Sequence, residues 1–251
     1  MKATKREPYE GLAPIYDFVM RHVDYPEWAA YVRDLMKRFG CSPACLVDLA
    51  CGTGATAAAL HELGYRVSGV DGSEAMLRVA GERLACLGGA IPLFCRDLRC
   101  LEGLGPFGAA VCLYDSFNYL LEPADLDRAL GQVFAILLPG SFFIFDICTE
   151  KNSLRYFRDF RDEEKGPGFC YRRHSYYDRD RRLQFNHFRL RFDGQDAELE
   201  ELHVQRIYTV AEVVERVEAS PFELLGAFDG FTFARGSEAS ERVHFALRRP
   251  R

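Results

Sequence analysis

The chain lacks the features that would assign it to a membrane, an export route or a nucleic acid. It has no run of about eighteen apolar residues, so we expect no transmembrane helix. The first residues are basic, but no apolar segment follows them, so we expect no export signal. The 32 Lys and Arg residues are outnumbered by 37 Asp and Glu residues, which gives a net charge of -5 and disfavours nucleic acid and anionic membranes as partners. We therefore expect a cytoplasmic protein whose partner is a small molecule.

The cysteines also lack the spacing of a metal site. There are nine of them, but the close pairs Cys41 with Cys45 and Cys95 with Cys100 do not have the C-x-x-C spacing that zinc sites use. No cluster of histidines accompanies them. Other cysteines, such as Cys112, lie in apolar runs. We expect free thiols in a reducing compartment and no metal.

What the sequence does have is a regular alternation of apolar runs and helical patterns. Apolar runs predict strands near 45–50, 65–70, 91–95, 108–113 and 141–147. Helical spacing of apolar residues predicts helices over 25–39, 54–63, 73–86 and 124–137. Strands that are apolar on both faces, such as "FFIFDI", are typical of a parallel sheet covered by helices on both sides. The fold class predicted is α/β.

The pattern changes after about residue 151. From 168 to 207 aromatic or apolar residues alternate with polar ones, which predicts antiparallel strands with one solvated face. Acids are interleaved with the arginines there, so the pattern favours a solvated sheet over a nucleic-acid groove. The chain then returns to a helix near 209–218 and strands near 222–228 and 241–248.

The stretch "LVDLACGTGATAAA" links the first predicted strand to a helix through two glycines, Gly52 and Gly54. The start of a helix presents unpaired N–H groups, and glycine lets a ligand approach the backbone closely. An adenosine-type cofactor is therefore expected at this loop. Asp71 ends the second predicted strand, where a carboxylate can accept hydrogen bonds from ribose hydroxyls.

Two kinds of cofactor fit this loop. "GTGATA" satisfies the dinucleotide pattern G-x-G-x-x-A, so a nicotinamide cofactor is one alternative. Asp48, just before the loop, would repel a pyrophosphate and suits a ligand with an ammonium group better. In "CRDL", which ends the third strand, Asp97 can accept from an adenine amine and the Leu98 N–H can donate to the ring.

The motifs "DLACGTG", "GVDGSEAML", "CRDL" and "LLPGSFFIFDI" resemble, in order and spacing, those of class I S-adenosylmethionine-dependent methyltransferases. "YEGLAPIYDFVMRHVDYPEW", "LYDSFNYLLEPADL" and "ELHVQRIYTVAEV" resemble the small-molecule branch that includes sugar-amine N-methyltransferases. The chain departs from the common pattern at Gly72, where leucine is more usual, and at Ser141, where a third glycine often stands.

The resemblance implies a doubly wound, seven-stranded, mostly parallel, Rossmann-like sheet in the order 3-2-1-4-5-7-6, with the seventh strand reversed. It implies an N-terminal helical lid over 1–40, a cofactor-binding core over 41–150 and 208–251, and an antiparallel β insertion over 151–207 on the substrate side. The expected cofactor is S-adenosylmethionine, with S-adenosylhomocysteine as product. The expected acceptor is a small polar molecule, methylated on nitrogen rather than oxygen. A homodimer is compatible with the resemblance.

Residue roles follow from the loop and from the resemblance together. We expect cofactor contacts from Tyr9, Asp48, Ala50, Gly52, Gly54, Asp71, Gly72, Met76, Asp97, Leu98, Leu113 and Tyr114. We expect substrate contacts from Tyr16, Asn118 and Arg206. We expect catalytic roles for Tyr119, Asp115 and His203.

Some of these roles have a structural alternative. Met76 is equally suited to a hydrophobic core, and His203 to a packing role. Trp28 belongs with Tyr9 and Tyr16 in the lid, but plain helix packing is favoured for it. Tyr119 is a weak base, so an orienting role suits it best. Two other functions stay open, an NAD(P)-dependent oxidoreductase and a non-catalytic S-adenosylmethionine-binding module.

Overall fold

The computed structural model describes residues 3–87 and 91–251 and contains two β-sheets. The strands are β1 (Thr4–Arg6), β2 (Cys45–Leu49), β3 (Arg66–Asp71), β4 (Leu93–Cys95), β5 (Phe107–Cys112), β6 (Leu137–Cys148), β7 (Asp159–Gly166), β8 (Phe169–Asp178), β9 (Leu183–Phe192), β10 (Leu199–Arg206), β11 (Glu223–Asp229) and β12 (Arg242–Arg248). The α-helices are α1 (Tyr16–Val19), α2 (Tyr25–Arg38), α3 (Ala55–Glu62), α4 (Glu74–Ala85), α5 (Pro123–Ile136), α6 (Glu150–Tyr156) and α7 (Val210–Ala219). No helix within the described ranges is long and apolar enough to cross a membrane.

The larger sheet has seven strands in the order β11-β12-β6-β5-β2-β3-β4. Five of them, from β6 to β4, pair in parallel, while β12 pairs antiparallel with both β6 and β11. This is the predicted order with the predicted reversed strand. Because the parallel strands all end at the same edge, the loops after β2, β3, β4 and β5 meet there.

Helices cover both faces of this sheet. On one face α5 and α7 pack with residues such as Leu130, Val133 and Val213, all fully buried, against β5, β6 and β12. On the other face α2 and α3 pack with residues such as Leu35 and Leu60. The helical spacing of these apolar positions explains why each helix turns one face to the sheet.

The second sheet has the order β1-β10-β9-β8-β7, antiparallel except for the parallel pair of β1 and β10. The sequence predicted its strands only from residue 168. The charged segment "DFRDEEKG" forms the edge strand β7. Most of its residues are exposed to solvent, so this edge strand needs no alternation of apolar and polar residues. Residues 4–6 were predicted as part of a helical lid, and that detail is wrong, since they form β1. The domain boundaries stay a prediction.

The N-terminal segment lies across the inner face of the second sheet. Leu12, Ile15 and Val19 form a buried apolar cluster with Tyr171 and Leu190 of that sheet. The segment thereby occupies the space between the second sheet and the glycine loop after β2.

Candidate functional site

The glycine loop after β2 has the backbone that the sequence predicts. Ala50, Gly52 and Gly54 have φ angles of 54°, 56° and 78°, a left-handed conformation that glycine adopts without strain. A Cβ on Gly52 would meet no atom within 4 Å, so the loop is open on that side. Gly54 caps α3 and packs closely, because a Cβ there would lie 3.2 Å from the Ala80 Cβ.

Asp71 at the end of β3 fixes the loop. Its Oδ2 accepts the Gly52 N–H at 2.8 Å and its Oδ1 accepts the Ser73 N–H at 2.8 Å. Burial raises the pKa of Asp71, and the two backbone hydrogen bonds partly offset that rise. Each carboxylate oxygen has a further lone pair that can accept a hydrogen bond from a bound hydroxyl.

Asp48 on β2 is a buried acid whose carboxylate is only partly hydrogen-bonded. It is 2% exposed, and its Oδ2 has no hydrogen-bond partner among the described residues. Burial, reinforced by the nearby Asp71, raises its pKa to about 8. A buried carboxylate is costly unless a cation pairs with it, so this position suits the positively charged end of a ligand.

The other predicted cofactor residues lie at the same edge of the sheet. Asp97 follows β4, and both of its oxygens accept from the Arg99 guanidinium at 2.7 Å. This hydrogen bonding with Arg99 lowers the pKa of Asp97. Met76 is 2% exposed, which fits the core alternative better than a cover over a ligand. Four further residues predicted to contact the cofactor also follow strands at this edge of the sheet: Gly72, Leu98, Leu113 and Tyr114.

The N-terminal segment is hydrogen bonded directly to the glycine loop. Thr53 Oγ1 in the loop donates to Asp17 Oδ1 at 2.7 Å. Arg83 of α4 forms an ion pair with Asp17 and donates from Nε to the Thr53 carbonyl at 2.9 Å. Asp17 thus links the lid, the cofactor loop and α4.

Four side chains form a hydrogen-bonded chain under the lid. The Tyr9 and Tyr119 hydroxyls contact each other, Tyr119 Oη lies 3.2 Å from His203 Nδ1, and His203 Nε2 lies 3.1 Å from Glu201 Oε2. Since Glu201 can only accept when ionised, His203 Nε2 carries the proton and Nδ1 accepts from Tyr119. Burial raises the pKa of Tyr119 well above its usual range, so its hydroxyl stays neutral. Tyr16 packs edge-on against Tyr9, with ring centroids 5.9 Å apart.

Glu201 is the anchor of this chain. It is fully buried on β10, and four N–H groups donate to its two oxygens. Oε2 accepts from the Tyr9 backbone at 2.9 Å as well as from His203, and Oε1 accepts from the Gly11 and Leu12 backbones, the latter at 2.9 Å. One buried carboxylate therefore holds both the lid backbone and the histidine.

Asp115, predicted to be catalytic, has both oxygens engaged. Oδ1 accepts from Arg242 Nη2 at 2.7 Å and Oδ2 accepts from Gln205 Nε2 at 2.6 Å. Arg242 also pairs with Asp146 and lies over the rings of Trp28 and Tyr114. Asp115 therefore fixes the loop after β5, and both of its oxygens are already hydrogen-bonded within the fold. Trp28 itself is 6% exposed and packs in the core, as favoured for it.

Two residues predicted to contact the substrate make hydrogen bonds within the fold. Asn118 is fully buried, donates to the Arg206 carbonyl at 2.8 Å and accepts the Cys148 N–H at 3.0 Å. The Arg206 guanidinium donates to the Leu121 carbonyl at 3.2 Å and lies over the Tyr208 ring. Asn118 thus makes hydrogen bonds within the fold, while Arg206 Nε is buried without a partner among the described residues. Their substrate contacts stay predictions.

Several residues of this site were not predicted from the sequence, notably Asp17, Glu201 and Arg242. Glu201 had a usable signal, since it lies two positions before His203 and so on the same face of a strand. Asp17 and Arg242 had none, because their partners are distant in sequence. Within 3–87 and 91–251 no group of three or more His, Cys, Asp or Glu side chains is arranged to hold a metal ion.

The comparisons with known proteins agree with this geometry. Residues 46–140, from β2 into β6, match the family described as "Methyltransferase domain". The chain is 30% identical over 241 residues to YqeM of Bacillus subtilis, which is named as a methyltransferase, and the match covers 94% of this chain and 95% of that one. It is 31% identical over 141 residues to a Streptomyces fradiae enzyme, dTDP-3-amino-3,6-dideoxy-alpha-D-glucopyranose N,N-dimethyltransferase, covering 55% of this chain and 54% of that enzyme.

Solved structures share the whole fold. An S-adenosylmethionine-dependent methyltransferase from Clostridium acetobutylicum superimposes with a TM-score of 0.82 at 22% identity, covering 97% of this chain and 99% of its own. The amino pentose methyltransferase CalS10 from Micromonospora echinaspora superimposes with a TM-score of 0.71 at 22% identity, covering 94% of this chain and 96% of its own. Both likenesses extend over the two sheets.

Proposed function

This chain belongs to the class I S-adenosylmethionine-dependent methyltransferase family, and we propose that it methylates an amine nitrogen of a small polar molecule. Membership in the family sets aside the oxidoreductase alternative. Cytoplasmic location and a homodimer stay predictions.

The observation that carries the proposal is the pair of acids around the glycine loop. Asp48 offers a buried oxygen without a partner, and Asp71 offers free lone pairs beside an open glycine backbone. Asp48 would hold the ammonium group of S-adenosylmethionine and Asp71 its ribose hydroxyls. Asp97 and Leu98, after β4, would meet the adenine.

S-adenosylmethionine supplies an activated methyl group, so the protein mainly has to align the acceptor and exclude water. Correct alignment of two bound reactants is worth up to about 7–11 kcal/mol. The lid is suited to this task, because Tyr9 and Tyr16 cover Tyr119 at the end of β5 while Asp17 holds the lid to the loop. A closed lid also keeps water from the sulfonium centre.

An acceptor amine must lose a proton, and the hydrogen-bonded chain under the lid offers a route. Tyr119 Oη can accept the proton from the nitrogen while its own proton passes to His203 Nδ1. The imidazolium formed is stabilised by the Glu201 carboxylate at 3.1 Å. An alcohol acceptor would need a stronger base than a histidine reached through a neutral tyrosine, so the chemistry favours nitrogen.

The names of relatives also favour a nitrogen acceptor over an oxygen acceptor. The Streptomyces fradiae relative is an amino-sugar N,N-dimethyltransferase, and a relative from Halorhodospira halochloris, 30% identical over 118 residues, is a glycine/sarcosine N-methyltransferase. Both names describe methylation of nitrogen on small polar compounds.

The direct test is to incubate the protein with a metabolite extract and methyl-labelled S-adenosylmethionine, followed by mass spectrometry of the labelled product. We expect label on the nitrogen of a small polar compound and equal formation of S-adenosylhomocysteine. Label on oxygen would contradict the preference for nitrogen. Cofactor binding without any label transfer would favour the non-catalytic binding module.

A further inference from the structure

Arg173 lies on the inner face of the second sheet, among aromatic rings. It is on β8, directly opposite Phe188 on β9. Its guanidinium carbon lies 5.1 Å, 5.7 Å and 5.3 Å from the ring centroids of Phe157, Phe160 and Phe188. Burial lowers its pKa, but an arginine remains charged in any case. A half-buried positive charge thus lies beside three aromatic rings.

Within the described residues, the Arg173 guanidinium forms no salt bridge. Nε donates to Ser175 Oγ at 2.8 Å and Nη2 donates to Asn186 Oδ1 at 2.7 Å, and both of these acceptors are neutral. A guanidinium has further N–H groups, which donate to no acceptor within the described part of the chain. No carboxylate oxygen described here lies within 4 Å of it, although Asp162 is directly opposite on β7. The Asp162 carboxylate instead accepts the Tyr171 hydroxyl at 3.0 Å.

The neighbouring arginine shows the ordinary arrangement. Arg172 is exposed on the opposite face of β8 and pairs with Glu198 at 2.9 Å. Such exposed pairs contribute little. By contrast, Arg173 is half-buried without a salt bridge among the described residues. Partial burial of an unpaired charge costs stability, and a bound anion would offset that cost.

Arg173 is also close to the proposed transfer chain. The Phe188 ring contacts both Arg173 and His203: its centroid lies 5.3 Å from the guanidinium carbon and 5.5 Å from the His203 centroid. His203 in turn contacts Tyr119. The Arg173 charge also opposes the rise that burial causes in the pKa of Tyr119, so a small molecule whose nitrogen contacts Tyr119 lies within the electrostatic field of the guanidinium.

We propose that Arg173 binds an anionic group, a carboxylate or a phosphate, on the methyl acceptor. Two parallel N–H groups of a guanidinium match the oxygens of either anion. The inference rests on the proposed function and names its substrate class, an amine that also carries a negative charge. Ser175 and Asn186 hold the guanidinium in place for that contact.

The test is a calorimetric titration of the full chain with inorganic phosphate and, separately, with acetate, at constant ionic strength and with or without S-adenosylhomocysteine. We expect at least one anion to bind saturably, and Arg173→Gln to weaken that binding roughly 10- to 100-fold. The matched control Arg172→Gln should bind the anion as the wild type does. Arg173→Lys, which keeps the charge, should retain part of the affinity.

The two arms distinguish a carboxylate from a phosphate. Absence of saturable binding of both anions to the wild type, or equal binding by Arg173→Gln, would overturn the assignment. Circular dichroism and the affinity for S-adenosylhomocysteine test whether Arg173→Gln is folded. If it is not folded, the anion affinities of Arg173→Lys and Arg172→Gln are compared instead. A wild type that fails to bind S-adenosylhomocysteine contradicts the proposed function instead, so the two failures are distinguishable.

Discussion

The Glu201 carboxylate accepts the backbone N–H of Tyr9 at 2.9 Å, which joins the second sheet to the lid across most of the sequence. The same carboxylate holds His203 on its own strand. The position of the lid and the orientation of the histidine therefore depend on one buried group.

Glu201→Gln should loosen the lid. The amide places N–H groups where the backbone of residues 9–12 donates, so buried donors lose their acceptor at a cost of about 1–3 kcal/mol in the free energy of unfolding. We expect faster hydrogen exchange at Tyr9, Gly11 and Leu12. Glu200→Gln is the control, because Glu200 faces outward and pairs with His187. Unchanged exchange in Glu201→Gln would show that the anchor is unimportant.

Tyr119→Phe should slow methyl transfer without weakening cofactor binding. It removes the hydroxyl between the Tyr9 hydroxyl and His203 Nδ1, so we expect the rate of label transfer to fall about 100-fold or more. Tyr176→Phe, at an exposed tyrosine on the outer face of the second sheet, should transfer label at the wild-type rate. A Tyr119→Phe enzyme with full activity would exclude the proton route through this hydroxyl.

Asp48 makes cofactor binding depend on pH. Because burial raises its pKa to about 8, Asp48 is mostly protonated at pH 7 in the free protein and must ionise to hold an ammonium group. Affinity should therefore rise with pH up to about 8 and then level off. At pH 7, calorimetry in buffers of different ionisation enthalpy should report release of up to about one proton per S-adenosylmethionine bound. The release should disappear in Asp48→Asn, and its persistence there would assign the proton to another group.

His244 makes the fold sensitive to acid. It is fully buried, and burial followed by the charge of Arg242 lowers its pKa to about 3. At pH 5 the histidine is protonated in the unfolded chain but neutral in the native state. The free energy of unfolding is therefore lower at pH 5 than above pH 6.5, by about 2 kcal/mol. In urea unfolding, the difference in free energy of unfolding between His244→Phe and the wild type should therefore favour the variant more at pH 5 than at pH 8. His22→Asn, at an exposed histidine, should not, and an equal gain at both pH values would refute the assignment.

The sequence predicted the sheet better than it predicted the substrate side. Strands β2, β3, β5 and β6 are each followed by a helix, so local patterns determine their places, whereas β4 leads to β5 without a helix between them. The glycine loop and Asp71 were found because their spacing is local and their backbone needs glycine. Strand β7 was missed because an edge strand can be charged throughout.

The substrate side depends on registers that a single sequence does not reveal. Arg173 reaches Asn186 only because β8 and β9 pair as they do, and Arg206, which looked better suited, turns its guanidinium to the Leu121 carbonyl. Asn118 was expected at the surface of the site but closes backbone hydrogen bonds inside the fold. Polar residues near a site edge have competing structural uses, and only the packing decides between them.

The central claim is tested most directly by titrating S-adenosylhomocysteine into the wild type, Asp71→Ala and the surface control Asp127→Ala in a calorimeter. We expect saturable binding to the wild type and to the control, and at least about 10-fold weaker binding to Asp71→Ala, which loses an acceptor of charged hydrogen bonds. A wild type that does not respond to S-adenosylhomocysteine or S-adenosylmethionine would contradict the account, and equal binding by Asp71→Ala would remove Asp71 from the cofactor site.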